Sequence, residues 1–516
     1  MIRFRVGTAD YARAFLMTGA AAVALCVPGA VFAQDDGAEA DTSGNAIIVT
    51  ATKREQTLQD TPVAVSVTTA ETIERAQIRD LRDLQTVVPS LSVGQRQSTG
   101  NTNFFIRGFG NGANNAGIEP SVGVFVDGVY RSKTLSQITD LPDVQRIEVL
   151  RGPQSTLFGK NASAGVISIT TQEPQFDFGG SVEATYGNYD QMIVKGLVTG
   201  PLSDSAAVSL AGGVNKRDGF FRDLGTGDRT NERDRWFVRG QFLLDGGNGF
   251  KARIIADYDA IDENCCAVVN LQDGLATPAL RALGGMVNTP ADAYSGDVYN
   301  NYNSTNDIKN YGASAQIDYD IGDFTLTSIT AFRETKALTY QDSDFTSADL
   351  IYPNYQDLDV STFTQEVRLA GEIGDRINLL LGAFYISEDV DQRNQLIYSS
   401  QFRPYANLLV QQLSGCALAL YASACTIPGY AGPAPVPLDA TFGALEGDPT
   451  KYINNFFPNG SGFNEAYTLK SNAISLFGQV DFELADGLVL TLGGNYTRDR
   501  NTYTTDNVST DAFSSI

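Results

Sequence analysis

From Gly179 onward, apolar and polar residues alternate one by one along about eleven segments of roughly ten residues each. In one segment, Trp236 and Val238 alternate with Arg235 and Arg239. A period of two residues predicts a β-strand with one apolar and one polar face. The apolar faces end in aromatic residues, which is typical of strands that have lipid on one side and water on the other.

The connections between these segments favour a membrane barrel over a soluble sandwich. Short and long links alternate strictly, with short links at 200–205, 245–249, 320–323, 371–375 and 484–487 and long links at 218–234, 260–308, 337–360 and 389–469. A compact soluble domain rarely needs a loop of about eighty residues. The pattern therefore predicts an antiparallel membrane β-barrel that contacts outer-membrane lipid, with tight turns at one end and long loops at the other.

The number of segments predicts an incomplete barrel. Plugged barrels of the outer membrane use about 22 strands, and this chain supplies about half of them. An odd number of strands cannot close an up-and-down barrel of the bacterial type, and residues 512–516 show no alternation. We therefore expect a fragment, or the product of an interrupted gene, that forms a half-open curved sheet around residues 104–171. The tail after Arg500 is expected to be disordered.

Before Gly179 the pattern changes to short β-branched runs that each end at Gly or Pro, which predicts short strands and tight turns. A strand is expected at residues 63–67, followed by helices at 70–77 and 80–88. An unpaired buried charge is costly, so charges within these runs need partners. These features predict a compact α+β domain that is enclosed by polar side chains. The charged residues expected in its core are Arg107, Asp127, Arg146, Glu148 and Arg151.

The N-terminus has the features of a signal peptide. Three arginines precede an apolar run at residues 14–27, and Val31-Phe32-Ala33 offers a cleavage site. Residues 34–45 are acidic and small, as in a disordered tether. The domains expected from these changes are a signal peptide (1–33), a tether (34–57), the compact α+β domain (58–172) and the incomplete barrel (179–516).

Composition excludes several classes of function. The formal charge of −23 opposes binding to nucleic acid. The chain has no histidine, which removes imidazole as a metal ligand and general base, and no metal or cofactor is expected. Export favours disulfides over metal thiolates, so Cys416 and Cys425 are expected to pair, whereas the state of Cys265 and Cys266 is left open.

An enzymatic function has little support. Residues 108–115 are rich in glycine but lack the βαβ context of a dinucleotide loop, and residues 152–160 lack the spacing of a phosphate loop. Asp342 and Asp344 could act as an acid and a base, but acidic loop residues are usually solvated. We therefore expect a protein that is not an enzyme.

Four segments of the first domain resemble a known family. They contain, in order, Ile106-Arg107-Gly108, Val126-Asp127-Gly128-Val129-Tyr130, Glu148-Val149-Leu150-Arg151-Gly152-Pro153 and Gly159-Lys160-Asn161. In the order of these segments and in their amino acids, residues 46–172 resemble the plug domain of TonB-dependent receptors, the gated transporters in the outer membrane of Gram-negative bacteria. The resemblance implies a plug inside the barrel.

The resemblance also assigns a role to the isolated β-prone stretch that precedes the plug. It is similar to a Ton box, the segment that binds a TonB-type energy-transducing protein, and an exposed extended segment suits strand addition by a partner. The alternative is that it forms the first edge strand of the plug. The residues expected to bind the partner are Ile47, Ile48, Val49, Thr50 and Ala51.

The family implies energy-coupled import of a large, scarce ligand across the outer membrane. A ferric siderophore is the default ligand, with a saccharide or cobalamin as alternatives, whereas the lack of histidine argues against haem. A truncated receptor that binds a ligand at the surface without transport is the alternative function. By position, the plug residues expected to contact the ligand are Phe109, Asn111, Asn114, Asn115, Glu119, Tyr130 and Arg131.

Overall fold

The computed structural model describes residues 2–6, 47–50, 52–54, 56–96, 98–111, 117–138, 140, 143–413 and 438–515. Several predictions fall on other residues and lie outside the described part of the chain. They concern most of the signal peptide, the tether up to residue 46, Ala51, Asn114, Asn115, Cys416 and Cys425.

The first third of the chain forms short strands, as its β-branched runs predict. They are β1 (Ile2–Val6), β2 (Ile48–Val49), β3 (Gln56–Thr57), β4 (Val65–Thr69), β5 (Leu91–Gln95), β6 (Thr102–Ile106), β7 (Val122–Val126), β8 (Val129–Arg131), β9 (Val144–Arg151) and β10 (Gly165–Thr171). Five of them make a sheet in the order β4-β9-β10-β7-β8, in which β10 is parallel to β7 and antiparallel to β9. The pairs β2-β3 and β5-β6 form separate sheets.

Short helices cover this sheet and complete the plug. They are α1 (Ala70–Arg75) and α2 (Ser155–Phe158), with 3₁₀ turns at Asp83–Thr86 and Thr134–Ser136. Thr69 caps α1, because its side-chain oxygen accepts the N–H of Thr72 at 3.4 Å. Apolar side chains from the sheet and from the 3₁₀ turn fill the core, where Leu84, Ile147 and Ile167 are fully buried.

Two expectations about the plug are wrong. The helix predicted at 80–88 is only a 3₁₀ turn, because the carboxylates of Asp80 and Asp83 accept the backbone N–H groups of Arg82 and Arg79, each at 2.9 Å. Such local bonds compete with a helix. Arg107 is exposed rather than part of the core. It has φ 54° in a two-residue turn beside Gly108, and this turn carries its side chain outward.

The rest of the chain forms long strands, which we call the wall, and three short ones. In chain order they are β11 (Gly179–Gly187), β12 (Gln191–Ser203), β13 (Ala206–Arg217), β14 (Phe221–Asp223), β15 (Arg229–Thr230), β16 (Arg233–Asp245), β17 (Phe250–Asn264), β18 (Asp297–Val298), β19 (Thr305–Ile321), β20 (Phe324–Tyr340), β21 (Ile351–Ile373), β22 (Ile377–Tyr398), β23 (Gly462–Ala485) and β24 (Leu488–Ser509).

The wall is one antiparallel sheet in the order β1-β11-β12-β13-β16-β17-β19-β20-β21-β22-β23-β24. The strands from β11 onward match the predicted number, and β1 pairs with β11 at one edge. At the other edge, no strand of the described residues pairs with the outer side of β24. The sheet is therefore open, as predicted.

Alternation along the wall strands confirms the predicted faces. Trp236 and Val238 are 45% and 40% exposed on the outer face, whereas Arg235 and Arg239 are buried against the plug. The short links are tight turns, and glycines with positive φ occupy them at Gly322, Gly374 and Gly487. The chain thus places an apolar surface outside and polar side chains around the plug.

The long connections form structured loops at the opposite end of the wall. They contain α3 (Ala276–Ala282), α4 (Phe402–Leu413), α5 (Leu438–Leu445) and the small sheet β15-β14-β18. An aromatic cluster packs the loop between β22 and β23, where the ring centroids of Phe402 and Phe457 are 4.9 Å apart. In the described part of the chain, no helix has the length and apolar character needed to cross a membrane.

The expectation of a disordered tail after Arg500 is also wrong. Strand β24 continues to Ser509 in register with β23, and a 3₁₀ turn follows at Ala512–Ser515. Threonines and a tyrosine favour the extended backbone here, and the rings of Tyr503 and Tyr467 lie 5.6 Å apart across the two strands. Apolar and polar residues alternate only in the first half of β24, and residues 501–509 continue the strand without this pattern.

Candidate functional site

A cavity of about 260 Å³ lies at the long-loop end, between the tip of the plug and the wall. We call it the apex cavity. On the plug side it is lined by Asn101, Asn103 and Asn111, and on the wall side by Gln341, Asn354, Gln356 and Asn394. All seven side chains are amides, which can donate and accept hydrogen bonds.

Of the residues expected to contact a ligand, Asn111 lines the apex cavity. Its amide is fixed by the loop it closes, because its Oδ1 accepts the N–H of Ser121 at 3.0 Å and its Nδ2 donates to the carbonyl of Glu119. Phe109 is 74% exposed at the plug tip. The side chain of Glu119 points toward the wall edge, where its Oε1 lies 2.5 Å from the Nζ of Lys160.

Tyr130 and Arg131 have a different position from the one expected. Tyr130 is buried in the plug, where its hydroxyl accepts a hydrogen bond from Asn161 at 2.8 Å. Arg131 is buried between plug and wall, with its guanidinium 3.8 Å from the carboxylate of Asp257. Burial lowers the pKa of Arg131 to about 10. Neither residue lines the apex cavity, and their role as ligand contacts stays a prediction.

Below the apex cavity, buried ion pairs join the plug to the wall. Asp127 is the centre of one group: it is paired with Arg239, and its Oδ1 lies 3.4 Å from the Nη1 of Arg253. Its two carboxylate oxygens also accept the N–H and the hydroxyl of Thr171, each at 2.9 Å. Burial alone would raise the pKa of Asp127, but the two arginines hold it below its ordinary value. Asp127 thus has the compensating partners that the sequence analysis expected for a buried charge.

A second group of ion pairs lies nearer the long-loop end. Arg235 of the wall contacts Glu263 at 2.6 Å, Asp140 of the plug at 3.5 Å and Asp80 of the plug at 3.7 Å. Arg233 reaches Asp80 at 3.1 Å. Burial opposes ionisation of Asp80, yet the two arginines keep its pKa below the ordinary value. The plug is therefore held to the wall by several buried, compensated charges.

The segment expected to be a Ton box lies at the short-turn end. Ile47 and Ile48 are 41% and 42% exposed, whereas Val49 is buried. One edge of the segment pairs with β3, and the carbonyl of Ile47 accepts the N–H of Leu58 at 2.8 Å. The segment is therefore not the edge strand of the five-stranded plug sheet.

The next residue of this segment is bonded to the plug core. The N–H of Thr50 donates to both carboxylate oxygens of Glu148, at 2.9 and 3.1 Å. Glu148 is completely buried on β9, and Arg146 neutralises it at 2.8 Å. Two of the predicted core charges thus connect the Ton-box-like segment to a central plug strand. Arg151 is only half-buried, and its backbone N–H donates to Ala64 at 2.9 Å.

Two basic residues that follow this segment are bound to the wall. The Nζ of Lys53 lies 2.6 Å from Glu366, and the guanidinium of Arg54 lies 2.7 Å from Asp481. Burial lowers the pKa of Lys53, against the opposing effect of Glu366. The sequence analysis missed both residues. The sequence feature that could have identified them is that Lys53 and Arg54 are adjacent cationic residues just after the Ton-box-like segment.

Around these contacts is a second, larger cavity of about 1260 Å³, which we call the base cavity. It lies at the short-turn end and is lined by many charged residues of plug and wall, among them Lys53, Arg54, Arg146, Glu173, Arg253 and Glu366. Ile48 and Thr50 also face it. A partner that enters this cavity therefore meets the exposed part of the Ton-box-like segment.

Two cysteines that the sequence analysis left open are joined to each other, because Cys265 and Cys266 form a disulfide in the loop after β17. Across the described residues, no group of three or more Cys, Asp or Glu side chains is arranged to hold a metal ion.

Comparison with known proteins gives a match over the plug. Residues 57–166 match the family model "TonB-dependent Receptor Plug Domain". The iron-regulated outer membrane virulence protein of Vibrio cholerae is 30% identical over 224 residues, which are 40% of this chain and 32% of that protein. The ferrioxamine B receptor of Salmonella typhimurium is 29% identical over 200 residues, which are 36% of this chain and 28% of that receptor. The matched stretch thus spans about a third of these relatives.

Solved structures share the fold of the whole described chain. The ferric yersiniabactin uptake receptor of Yersinia pestis superposes with a TM-score of 0.61 at 15% identity, over 86% of this chain and 62% of the receptor. The ferripyoverdine receptor of Pseudomonas aeruginosa gives 0.61 at 15% identity, over 91% and 56%. Both neighbours are described as receptors, the second of the outer membrane, and the Vibrio cholerae relative is named an outer membrane protein. The first third of the chain therefore carries a TonB-dependent receptor plug domain, and the open sheet that follows it has the fold of the barrel strands of these receptors.

Proposed function

We propose that this chain carries out energy-coupled import of a large, scarce ligand across the outer membrane, driven by a TonB-type protein that pulls on residues 47–51. The observation that carries this proposal is the bond between Thr50 and the buried carboxylate of Glu148. Because Glu148 lies on β9, between β4 and β10, a force on the segment acts directly on the centre of the plug sheet.

The same force must break the contacts that hold the segment at rest. Lys53 and Arg54 lie on the path of the force, and both are paired with wall carboxylates. Breaking a buried ion pair costs several kcal/mol, on the order of 3–5, so thermal motion seldom releases the segment without a partner. This arrangement suits a plug that stays closed until it is pulled.

Movement of the plug then requires loss of its contacts with Arg239, Arg253 and Arg235 of the wall. Arg239 and Arg235 have wall carboxylates as second partners, Asp257 at 2.9 Å and Glu263 at 2.6 Å, whereas Arg253 donates to the amide oxygen of Gln241 on the wall at 2.6 Å. Arg239 and Arg235 therefore remain compensated when the plug leaves. Shared partners of this kind lower the cost of repeated opening.

We infer that the imported ligand is a ferric siderophore. Support comes from the relatives, since one is named an iron-regulated outer-membrane protein and another a ferrioxamine B receptor. A saccharide or cobalamin is the alternative cargo. A receptor that binds its ligand without transport is the alternative function, and the experiment below separates it from import.

The test is Ile47→Pro in cells that use this receptor as their sole importer of ferric chelates. Proline removes the backbone N–H at this position and restricts the residue before it, so it blocks strand addition by a partner. We expect uptake of radiolabelled ferric chelate to be lost while binding to the cell surface is retained. Gln59→Pro, at an exposed turn residue, is the matched control and should import normally. Equal uptake by Ile47→Pro and the parent, or binding without uptake by the parent, would contradict energised import.

A further inference from the structure

The walls of the apex cavity specify the charge of the ligand. Across three neighbouring wall strands, Thr339, Gln356 and Asn394 stand side by side, because Thr339 is in register with Gln356 and Gln356 with Asn394. All three line the cavity, and each is polar but uncharged. We propose that the apex cavity binds an electrically neutral ligand rich in hydroxyl and carbonyl groups. This inference rests on the proposed function and narrows its class of cargo.

The one charged side chain among the described lining residues does not alter this conclusion. It is Lys133, whose Nζ lies 2.8 Å from the carboxylate of Glu388. The two side chains are 6% and 5% exposed, so the pair is buried and internally compensated. A site for an anionic ligand places uncompensated Arg or Lys where the anion binds. The apex cavity has none among the described residues that line it.

The amides that line the apex cavity suit an uncharged polar ligand. Burying an ionised group without a counter-charge costs several kcal/mol, whereas hydroxyl and carbonyl groups need only hydrogen-bond partners. Amides provide a donor and an acceptor in one side chain.

Some of this hydrogen-bonding capacity is unused by the protein itself. The Nε2 of Gln341 is buried and has no hydrogen-bond partner in the described part of the chain. Other amides are held in place: Asn394 donates to Glu465 at 2.6 Å and accepts from Gln392 at 2.8 Å. Amides that are fixed in this way form a preorganised polar surface, which favours a ligand with matching hydrogen-bonding groups.

Two kinds of cargo have this shared chemistry. A ferric trihydroxamate carries no net charge, because three singly charged hydroxamates balance the ferric ion, and it presents carbonyl and amide groups. An uncharged oligosaccharide presents hydroxyls. A ferric tris-catecholate is strongly anionic and would need the cations that the described lining lacks.

Equilibrium dialysis of the purified 516-residue chain in detergent tests the proposal with three probes: an uncharged ferric trihydroxamate, an uncharged linear oligosaccharide and an anionic ferric tris-catecholate. We expect one of the uncharged probes to bind best, with a Kd that changes less than about twofold between low and high salt. Gln356→Lys should weaken that binding about tenfold, because it places a cation in a lining that is otherwise uncharged or compensated. Gln395→Lys is the matched control, since Gln395 does not line the apex cavity and its amide donates to Asn464 of the next wall strand at 2.7 Å.

The outcomes separate this inference from the proposed function. If the tris-catecholate binds most tightly, and its binding is weakened by salt and strengthened by Gln356→Lys, the inference of an electrically neutral ligand is wrong. The proposal that the chain imports ferric chelates would be unaffected. Tightest binding of the oligosaccharide supports the neutral class and removes iron from the proposed function. Binding of an uncharged probe that Gln356→Lys leaves unchanged, or binding of none of the three probes, would overturn the assignment of the apex cavity.

Discussion

The apex cavity and the base cavity lie at opposite ends of the same plug and differ in chemistry. The apex cavity has a volume of about 260 Å³, and its walls combine amide and hydroxyl side chains with apolar ones such as Ile118, Leu135 and Leu358. The base cavity has about 1260 Å³ and walls that carry many Arg, Lys, Asp and Glu side chains. This difference agrees with our proposal that the smaller space recognises the ligand and the larger one admits the energy-transducing partner.

The contacts between the two cavities explain why they stay separate. The Asp127 group and the Arg235 group pair plug carboxylates with Arg235, Arg239 and Arg253 of the wall, which are 3–6% exposed. These contacts close the space between plug and wall without locking it permanently, because Arg235 and Arg239 also pair with carboxylates of the wall and Arg253 also bonds to Gln241. Apolar packing would offer no such exchange of partners.

The largest expected loss of stability comes from Asp127→Asn, which removes the central carboxylate from the ion pairs between the two cavities. Arg253 then has no buried carboxylate partner among the described residues, whereas Arg239 keeps Asp257, so the free energy of unfolding should fall by about 3 kcal/mol. The matched control is Asp234→Asn, which removes an exposed pair with Lys216 at 2.9 Å and should change stability by less than about 1 kcal/mol. Urea denaturation of the refolded chain measures both. A similar loss in the two variants would show that burial does not distinguish these pairs.

A second prediction concerns the loop between β22 and β23 at the apex end. We predict a disulfide between Cys416 and Cys425, which would stabilise the protein by about 2–3 kcal/mol through its closed loop of roughly ten residues. Mass spectrometry of the non-reduced protein should find the two thiols joined. If both thiols are free, the prediction is wrong.

A third variant acts on the base cavity. Glu366→Gln leaves Lys53 buried without its carboxylate, so the contact that holds the segment after Thr50 weakens. We expect amide hydrogen exchange in residues 47–50 to become about tenfold faster, which corresponds to about 1.4 kcal/mol. Exchange in the apex loop at residues 341–350 should not change. Equal acceleration at both ends would contradict the independence of the two cavities.

The smallest effect is a pH response at the rim of the apex cavity. Burial, together with the nearby Asp344, raises the pKa of Asp342 from 3.8 to about 7. The folded loop therefore binds this proton more tightly than the unfolded chain does, and the added stability is lost as the pH rises through about 7. Amide protection at Phe345, whose N–H bonds to Asp342 at 3.0 Å, should be higher at about pH 5 than at about pH 8. Asp342→Asn should remove this difference.

The sequence predicted the strands of the wall better than it predicted the contacts of the candidate site. Alternation and connection length depend on neighbours along the chain, so the strands, their faces and the order of turns and loops could be read directly. The continuation of β24 past Arg500 was missed, because residues 501–509 do not alternate between apolar and polar as the first half of the strand does. The need of Asp127 for a partner was predicted, but the identity of Arg239 was not, since the two lie 112 positions apart.

The apex cavity shows the same limit. Asn111 was predicted as a candidate from its place at the plug tip, whereas Gln356 and Asn394 were not. They become neighbours only through the register of two long strands, which a single sequence does not specify. The opposite error occurred at Arg107, where a charge beside a strand was expected in the core but a turn of positive φ carries it outward.

The most direct test of the central claim is the affinity of the chain for the periplasmic domain of a TonB-type protein, measured by calorimetry with ligand present. Parent and Gln59→Pro should bind equally, and Ile47→Pro should bind at least about tenfold more weakly, because it cannot complete the added strand. Equal binding by all three, or no binding by the parent, would contradict the claim that residues 47–51 couple the plug to an energy source.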